Sequence, residues 1–221
     1  ILVADFYEPF TCLYDIIYIL FAKFSILREA TYMIMPNFII IGTQKAGTSS
    51  IAHYLRQHPQ IYLSPAKEPG FFDFEGKKPN FCGPGDEEAY RFTVSDIESY
   101  CQLFQGVTDE IAIGEATTWY LQSLKAPERI HYYIPHAKLI AILRNPVDRA
   151  YSAYMHMIRD GHEPLENFAL ALQEEDKRIK KNWGFMWHYK HIGFYTVQLK
   201  RYFDRFDRNQ IRIYLYDDLN E

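Results

Sequence analysis

Only three cysteines, Cys12, Cys82 and Cys101, occur in 221 residues, and no two of them form a C-x-x-C pair. So sparse and odd a set argues against a disulfide framework and against a zinc site, and it leads us to expect a reducing, cytoplasmic setting. Neither sign of charge dominates. The 24 Lys and Arg stand against 28 Asp and Glu, a net charge of −4, so nothing draws the whole chain toward nucleic acid. Long apolar runs are missing as well. Residues 10–27 are strongly apolar, but Asp15 and Lys23 interrupt them, and the clear run between falls far short of the ~20 residues a spanning helix needs. No basic segment precedes this stretch and no small-residue cleavage site follows it, which argues against a secretory leader. Packing on a domain is the expectation for it, with contact at a membrane interface as the alternative. We find no internal repeat and no low-complexity tract.

What is present suits one globular domain: 48% hydrophobic, 24% charged and 17% aromatic residues, the aromatics being mostly core material. Residues 1–34 read as an apolar N-terminal extension, and Met35-Pro36-Asn37 as the start of a single domain, residues 35–221. Apolar runs at 38–41, 61–63, 110–114 and 138–143 and an alternating run at 211–216 predict strands. Between them, helices are expected over 48–57, 95–104, 126–133, 146–160, 168–180 and 195–206. Ser95 with Glu98 makes a capping box for the second of these, and Asn145, Pro146 and Gly161 bracket the fourth. The Gly-, Pro- and charge-rich stretch 75–89 reads as a surface loop. Strands alternating with helices predict an α/β fold, a P-loop-like parallel sheet flanked by helices. The chain stops just after the last strand, and we expect a further C-terminal part to cover that sheet.

The first strand runs into Gly42-Thr43-Gln44-Lys45-Ala46-Gly47-Thr48-Ser49-Ser50, the layout of a phosphate cradle. Glycines let backbone N–H groups approach an anion, and the following helix adds its N-terminal dipole. A nucleoside-triphosphate loop carries lysine directly after its second glycine. Here Thr48 follows Gly47, and the lysine, Lys45, lies inside the loop. The competing structural reading is a glycine turn that binds nothing. The coincidence of glycines, hydroxyls and Lys45 on one strand-to-helix turn favours the phosphate.

Two further groups carry chemistry. Arg144 ends a predicted strand, where open α/β sheets place ligands, and Ser152 follows eight residues later, about two helical turns. An arginine fork with a hydroxyl suits a second phosphate; the plainer reading pairs Arg144 with Asp148. Lys67-Glu68 precedes the aromatic turn Pro69-Gly70-Phe71-Phe72. Such a pair is commonly surface charge, but at the mouth of a site Glu68 could serve as a general base.

Taken together, the cradle, Lys67-Glu68-Pro69-Gly70-Phe71-Phe72-Asp73, Gly114-Glu115-Ala116-Thr117 and Leu143-Arg144-Asn145-Pro146-Val147-Asp148-Arg149-Ala150-Tyr151-Ser152 resemble the sulfotransferase family, above all its heparan-sulfate branch and bacterial relatives. The likeness extends over residues 36–219. It implies transfer of a sulfuryl group from 3′-phosphoadenosine 5′-phosphosulfate (PAPS), without a metal, to a hydroxyl or in second place an amine of a carbohydrate or small molecule. Thr43, Gln44, Lys45, Ala46, Gly47, Thr48 and Ser49 would hold the 5′-phosphosulfate, Arg144 and Ser152 the 3′-phosphate, and Glu68 would be the base. Lys45 would also stabilise the leaving phosphate. Gly70 departs from the bulkier, often histidine, residue of the family, and no closing Lys-Gly-Arg loop occurs before Glu221. The rival readings are a P-loop kinase or NTPase, and an inactive PAPS-binding fragment.

Overall fold

The computed structural model describes residues 33–220; the apolar stretch 10–27 lies outside the described residues. Five parallel strands form one sheet in the order β2-β3-β1-β4-β5. They are β1 (Phe38–Gly42), β2 (Ile61–Leu63), β3 (Ala112–Ala116), β4 (Lys138–Leu143) and β5 (Ile211–Leu215). Strand β1 is central and buried along its whole length, as its unbroken apolar run requires of a sheet covered on both faces. Its side chains alternate between two cores. Ile39 and Ile41 pack with Phe71, Phe72, Tyr120 and Leu139, whereas Phe38 and Ile40 pack with Ile51, Leu55, Ile140 and Ile142.

Helix α1 (Thr48–Leu55) leaves the end of β1, and the long helix α6 (Pro146–Arg159) leaves the end of β4. Both therefore start at the carboxyl edge of the sheet, side by side. Asn145 caps α6 as expected, its Oδ1 accepting from the N–H of Val147 at 2.9 Å and of Asp148 at 3.5 Å, and Pro146 occupies a position that needs no donor. Helix α7 (Phe168–Lys180) packs on α6 around Tyr154, Trp187 and Tyr189.

Three expectations need correction. The cap of α4 (Ile97–Gln102) is Asp96, whose carboxylate accepts from Ser99 N–H at 2.8 Å, and not Ser95; the neighbouring carboxylate makes the stronger, charge-assisted bond. Strand β3 is shifted two residues along, over Ala112–Ala116. It therefore includes Glu115, a charged residue that a sequence pattern places outside a buried strand. Tyr100 and Thr117 make this tolerable by donating to its carboxyl at 3.2 and 2.7 Å. Finally, the stretch 75–89 read as loop contains one short helix, α3 (Asp86–Ala89), and another, α2 (Phe71–Phe74), ends just before it. The remaining helices, α5 (Ala126–Tyr133) and α8 (Tyr195–Phe203), lie where expected, α8 ending a few residues early.

Candidate active site

The turn from β1 to α1 is held in a shape that few residues allow. Gly47, at φ 80°, provides the left-handed cap of α1, and Lys45 also lies at positive φ, 64°. A Cβ on Gly42 would stand 2.6 Å from the Thr118 carbonyl, far inside van der Waals contact, so glycine there lets β1 pass directly under Thr118, two residues past the end of β3. Within the turn Thr43, Gln44, Ala46 and Thr48 are buried, Lys45 is partly exposed, and Ser49 is exposed. The Oγ1 of Thr43 is buried without a hydrogen-bond partner, a costly state for a hydroxyl.

Contacts from distant elements fix the turn. Arg144, at the end of β4, donates from Nη1 to the Lys45 carbonyl at 3.1 Å, and its guanidinium lies 4.5 Å from the Tyr216 ring centre. Its side chain thus turns to the cradle, not to Asp148. Gln44 Nε2 donates to the Phe185 carbonyl at 3.1 Å, tying the cradle to the aromatic 183–191 stretch. Ser152 sits partly exposed on α6, and among the described residues no hydrogen bond joins it to Arg144 or to the cradle. Burial lowers the proton affinity of Lys45, and the cations Arg159, Lys67 and Arg144 lower it further against the opposing pull of Asp160. Lys67 and Arg144 thus add to the positive field at Lys45, a field that favours an anion, while Arg159 is paired with Asp160 at 2.8 Å.

Glu68 faces the same place. Its backbone is at φ 55° and its N–H donates to the Ala116 carbonyl at 3.2 Å, so the residue after Lys67 is docked on the end of β3. The residue keeps some surface, while its carboxyl is set deep. There Oε2 accepts from Thr118 N–H at 2.7 Å, and Thr118 Oγ1 lies 3.0 and 3.1 Å from the two oxygens. Desolvation pushes Glu68 up from 4.5 to about 7, against the Thr118 bonds and the Lys67 charge, which favour the ionised form. A cleft of about 180 Å³ is lined by Glu68, Lys67, Ala116 and Thr118 on one side and by Thr48 and Ser49 on the other. The carboxyl and the cradle hydroxyls therefore share one cavity. A group that titrates near neutrality beside a cationic anion cradle is equipped to take a proton while charge develops next to it.

Sequence reasoning missed several members of this assembly. Thr118 positions Glu68, and its signal was its place just past a strand's carboxyl end. Glu115, fully buried and pushed up to about 8 chiefly by desolvation, is close enough to Glu68 for that carboxyl to oppose its ionisation. In sequence it stands within Gly114-Glu115-Ala116-Thr117, part of the resemblance but given no role of its own. Arg159 and His156, from the far end of α6, are joined at 2.6 Å and approach Lys45; burial first, and then Lys45, lower the proton affinity of His156.

The model of a family described as "Sulfotransferase family" matches residues 36–204. Membrane-associated sulfotransferase kil1 of Dictyostelium discoideum is 33% identical over 155 residues, 66% of this chain and 29% of that protein. Human heparan sulfate glucosamine 3-O-sulfotransferase 6 is 33% identical over 171 residues, 76% of this chain and 44% of that protein. The chain thus spans less than half the length of these two relatives. A crystal structure of a sulfotransferase from Alicyclobacillus acidocaldarius superposes with a TM-score of 0.80 at 44% identity, covering 85% of this chain and 75% of that one.

Proposed function

This chain belongs to the sulfotransferase family, and from that membership we propose that it transfers a sulfuryl group from PAPS to a hydroxyl, or in second place an amine, of a carbohydrate or small-molecule acceptor. The observation that carries the reading is the shared cleft: Glu68 stands across from Thr48 and Ser49 of the cradle that bears Lys45. The relative that sulfates a glucosamine of heparan sulfate supports a sugar hydroxyl as acceptor.

In this reading PAPS supplies an activated sulfur on a phosphate leaving group. Backbone N–H groups from Thr43 to Ser49, with the Thr48 and Ser49 hydroxyls that line the cleft, hold the 5′-phosphosulfate. Arg144, with Ser152, takes the 3′-phosphate. The acceptor oxygen forms a bond to sulfur as the bond from sulfur to the bridging oxygen breaks. The acceptor proton passes to the Glu68 carboxylate, and negative charge gathers on the phosphate beside Lys45. In-line transfer of this kind needs positioning and electrostatic support more than covalent help. Thr118 keeps part of the Glu68 population ionised, while burial keeps its basicity high.

Calorimetric titration with adenosine 3′,5′-bisphosphate, set against ATP with magnesium, tests the reading without knowledge of the acceptor. We expect saturable binding of the bisphosphate. Magnesium-dependent ATP binding and hydrolysis, with no affinity for the bisphosphate, would make the protein a kinase or NTPase.

No helix among the described residues is long and apolar enough to cross a membrane. We propose a cytoplasmic site of action for residues 35–221 as one catalytic domain.

A further inference from the structure

The backbone that carries Glu68 takes a shape that its surroundings must impose. Glu68 lies at φ 55° and Gly70 at φ 69°, and a non-glycine residue at positive φ persists only where its neighbours over-determine it. Two of the ties on this turn are made to backbone: Glu68 N–H reaches the Ala116 carbonyl, and the Pro69 carbonyl accepts from Val94 N–H at 2.8 Å. The next two end on side chains. Gly70 N–H donates to Thr117 Oγ1 at 3.3 Å, and Phe72 N–H donates to the Tyr120 hydroxyl at 3.2 Å.

Both hydroxyls belong to a cluster centred on Glu115. Thr117 Oγ1 donates to Glu115 Oε2 at 2.7 Å and the Tyr100 hydroxyl to Oε1 at 3.2 Å, and the Tyr120 hydroxyl interacts with the same carboxyl. Tyr100 also stacks on Phe71, with ring centres 4.6 Å apart. All four polar residues are fully buried, so water does not compete for these bonds. A hydroxyl has a single proton. With that proton held by Glu115, Thr117 offers lone pairs to the Gly70 amide, and Tyr120 offers them to Phe72. A buried hydroxyl proton left without an acceptor is costly, so losing the acceptor at 115 loosens both ties. Glu115 lines no part of the cleft, and a buried carboxyl is expensive to keep. We propose that Glu115 is a positioning residue for the base: through Thr117 and Tyr120 it fixes the turn 67–72, and with it the Glu68 carboxyl against Thr118 and across from the cradle. Burial pushes Glu115 up to about 8, so near neutrality it is mostly protonated. Tyr100 can then accept its proton while Oε2 goes on accepting from Thr117. What the turn needs from this position is an acceptor oxygen, and not a charge.

The inference rests on Glu68 being the base, so the test has one arm that needs no substrate. In the full chain, Glu115→Met removes the acceptor, Glu115→Gln keeps an acceptor oxygen, and Thr117→Val removes the bridging hydroxyl alone; thermal melts check that each folds. Amide exchange read by NMR should be about 10-fold faster at Gly70 and Phe72 in Glu115→Met, and at Gly70 in Thr117→Val. Glu115→Gln should stay near native, and Ala171 in α7 should not change in any variant. In turnover with PAPS and a sugar acceptor, kcat should fall about 10-fold in Glu115→Met and in Thr117→Val, with the affinity for adenosine 3′,5′-bisphosphate intact. Neither substitution should slow a chain that already carries Glu68→Gln, because the effect passes through Glu68. Native exchange at Gly70 and Phe72, a Glu115→Gln chain as impaired as Glu115→Met, or an equal further fall in the Glu68→Gln background overturns the proposal. Should Glu115→Met not fold, the contrast between a near-native Glu115→Gln and an impaired Thr117→Val decides. Failure of the base reading shows separately, as native turnover in Glu68→Gln alone.

Discussion

Replacing Thr118 by Val removes one hydroxyl and almost nothing else, because the two side chains are nearly isosteric. The lost group is the Oγ1 that lies 3.0 and 3.1 Å from the Glu68 oxygens. The 2.7 Å bond from the Thr118 backbone N–H survives. A hydrogen bond to a charged group is worth about 1.5–3 kcal/mol, and about 1.4 kcal/mol corresponds to one pH unit in a titration midpoint. Since the hydroxyl stabilises the ionised carboxyl, its loss makes Glu68 harder to ionise. The basic form of Glu68, populated above about pH 7 in the native chain, should therefore appear about 1 pH unit higher in Thr118→Val. The assay is the pH dependence of kcat with saturating PAPS and a sugar acceptor, read as the midpoint of the acidic limb. At pH 6 the variant should be about 10-fold slower, and well above pH 9 the two should converge. A midpoint that stays in place, in a variant whose melting temperature is unchanged, would mean that Glu68 is not the group whose ionisation limits the rate.

Glu68→Gln should leave adenosine 3′,5′-bisphosphate affinity intact while slowing turnover by roughly 10²–10⁴-fold, and normal turnover would remove it as the base. Lys45→Ala should abolish measurable transfer in the same assay, and Arg144→Ala should weaken bisphosphate binding by about 1.5–3 kcal/mol in calorimetry; an unchanged affinity would reject the 3′-phosphate assignment. Folding raises the proton affinity of Glu68 to about 7 and of Glu115 to about 8, both from 4.5. The folded chain thus holds more protons than the unfolded chain across that window, so this contribution to stability is complete below about pH 4.5 and is lost as the pH rises through 7 to 8. Urea midpoints at pH 5 and pH 8.5 should show the fall, and Glu115→Gln should flatten it. On the α6–α7 side, Arg178 reaches Glu163 with two bonds at 2.6 and 2.7 Å, and both side chains are buried. Arg178→Met leaves that carboxylate its bonds from the Tyr189 hydroxyl and the Leu165 N–H but no counter-charge, and should cost about 3–5 kcal/mol in urea denaturation, with Glu163→Gln in the same chain recovering part of it.

The sequence by itself determined the elements and the character of the cradle, because those signals are local. An unbroken apolar run fits only a doubly covered strand, as in β1 and β4. Asn145-Pro146 starts a helix with its own atoms, and Gly42 and Gly47 bracket a turn that other residues cannot follow. The same reasoning picked out Lys45, Arg144 and Glu68 by residue type and place, but it could not say which of them meet. Tertiary structure decided that. It joined Arg144 to the Lys45 carbonyl across 99 positions and Thr118 to Glu68 across 50, and it carried the carboxyl of Glu115 into the sheet interior beside Glu68. Ser152 remained without a bond to either. The proton affinity of a buried acid is a sum over everything packed around it, and in a parallel sheet ordered β2-β3-β1-β4-β5 those neighbours come from strands far apart in the chain.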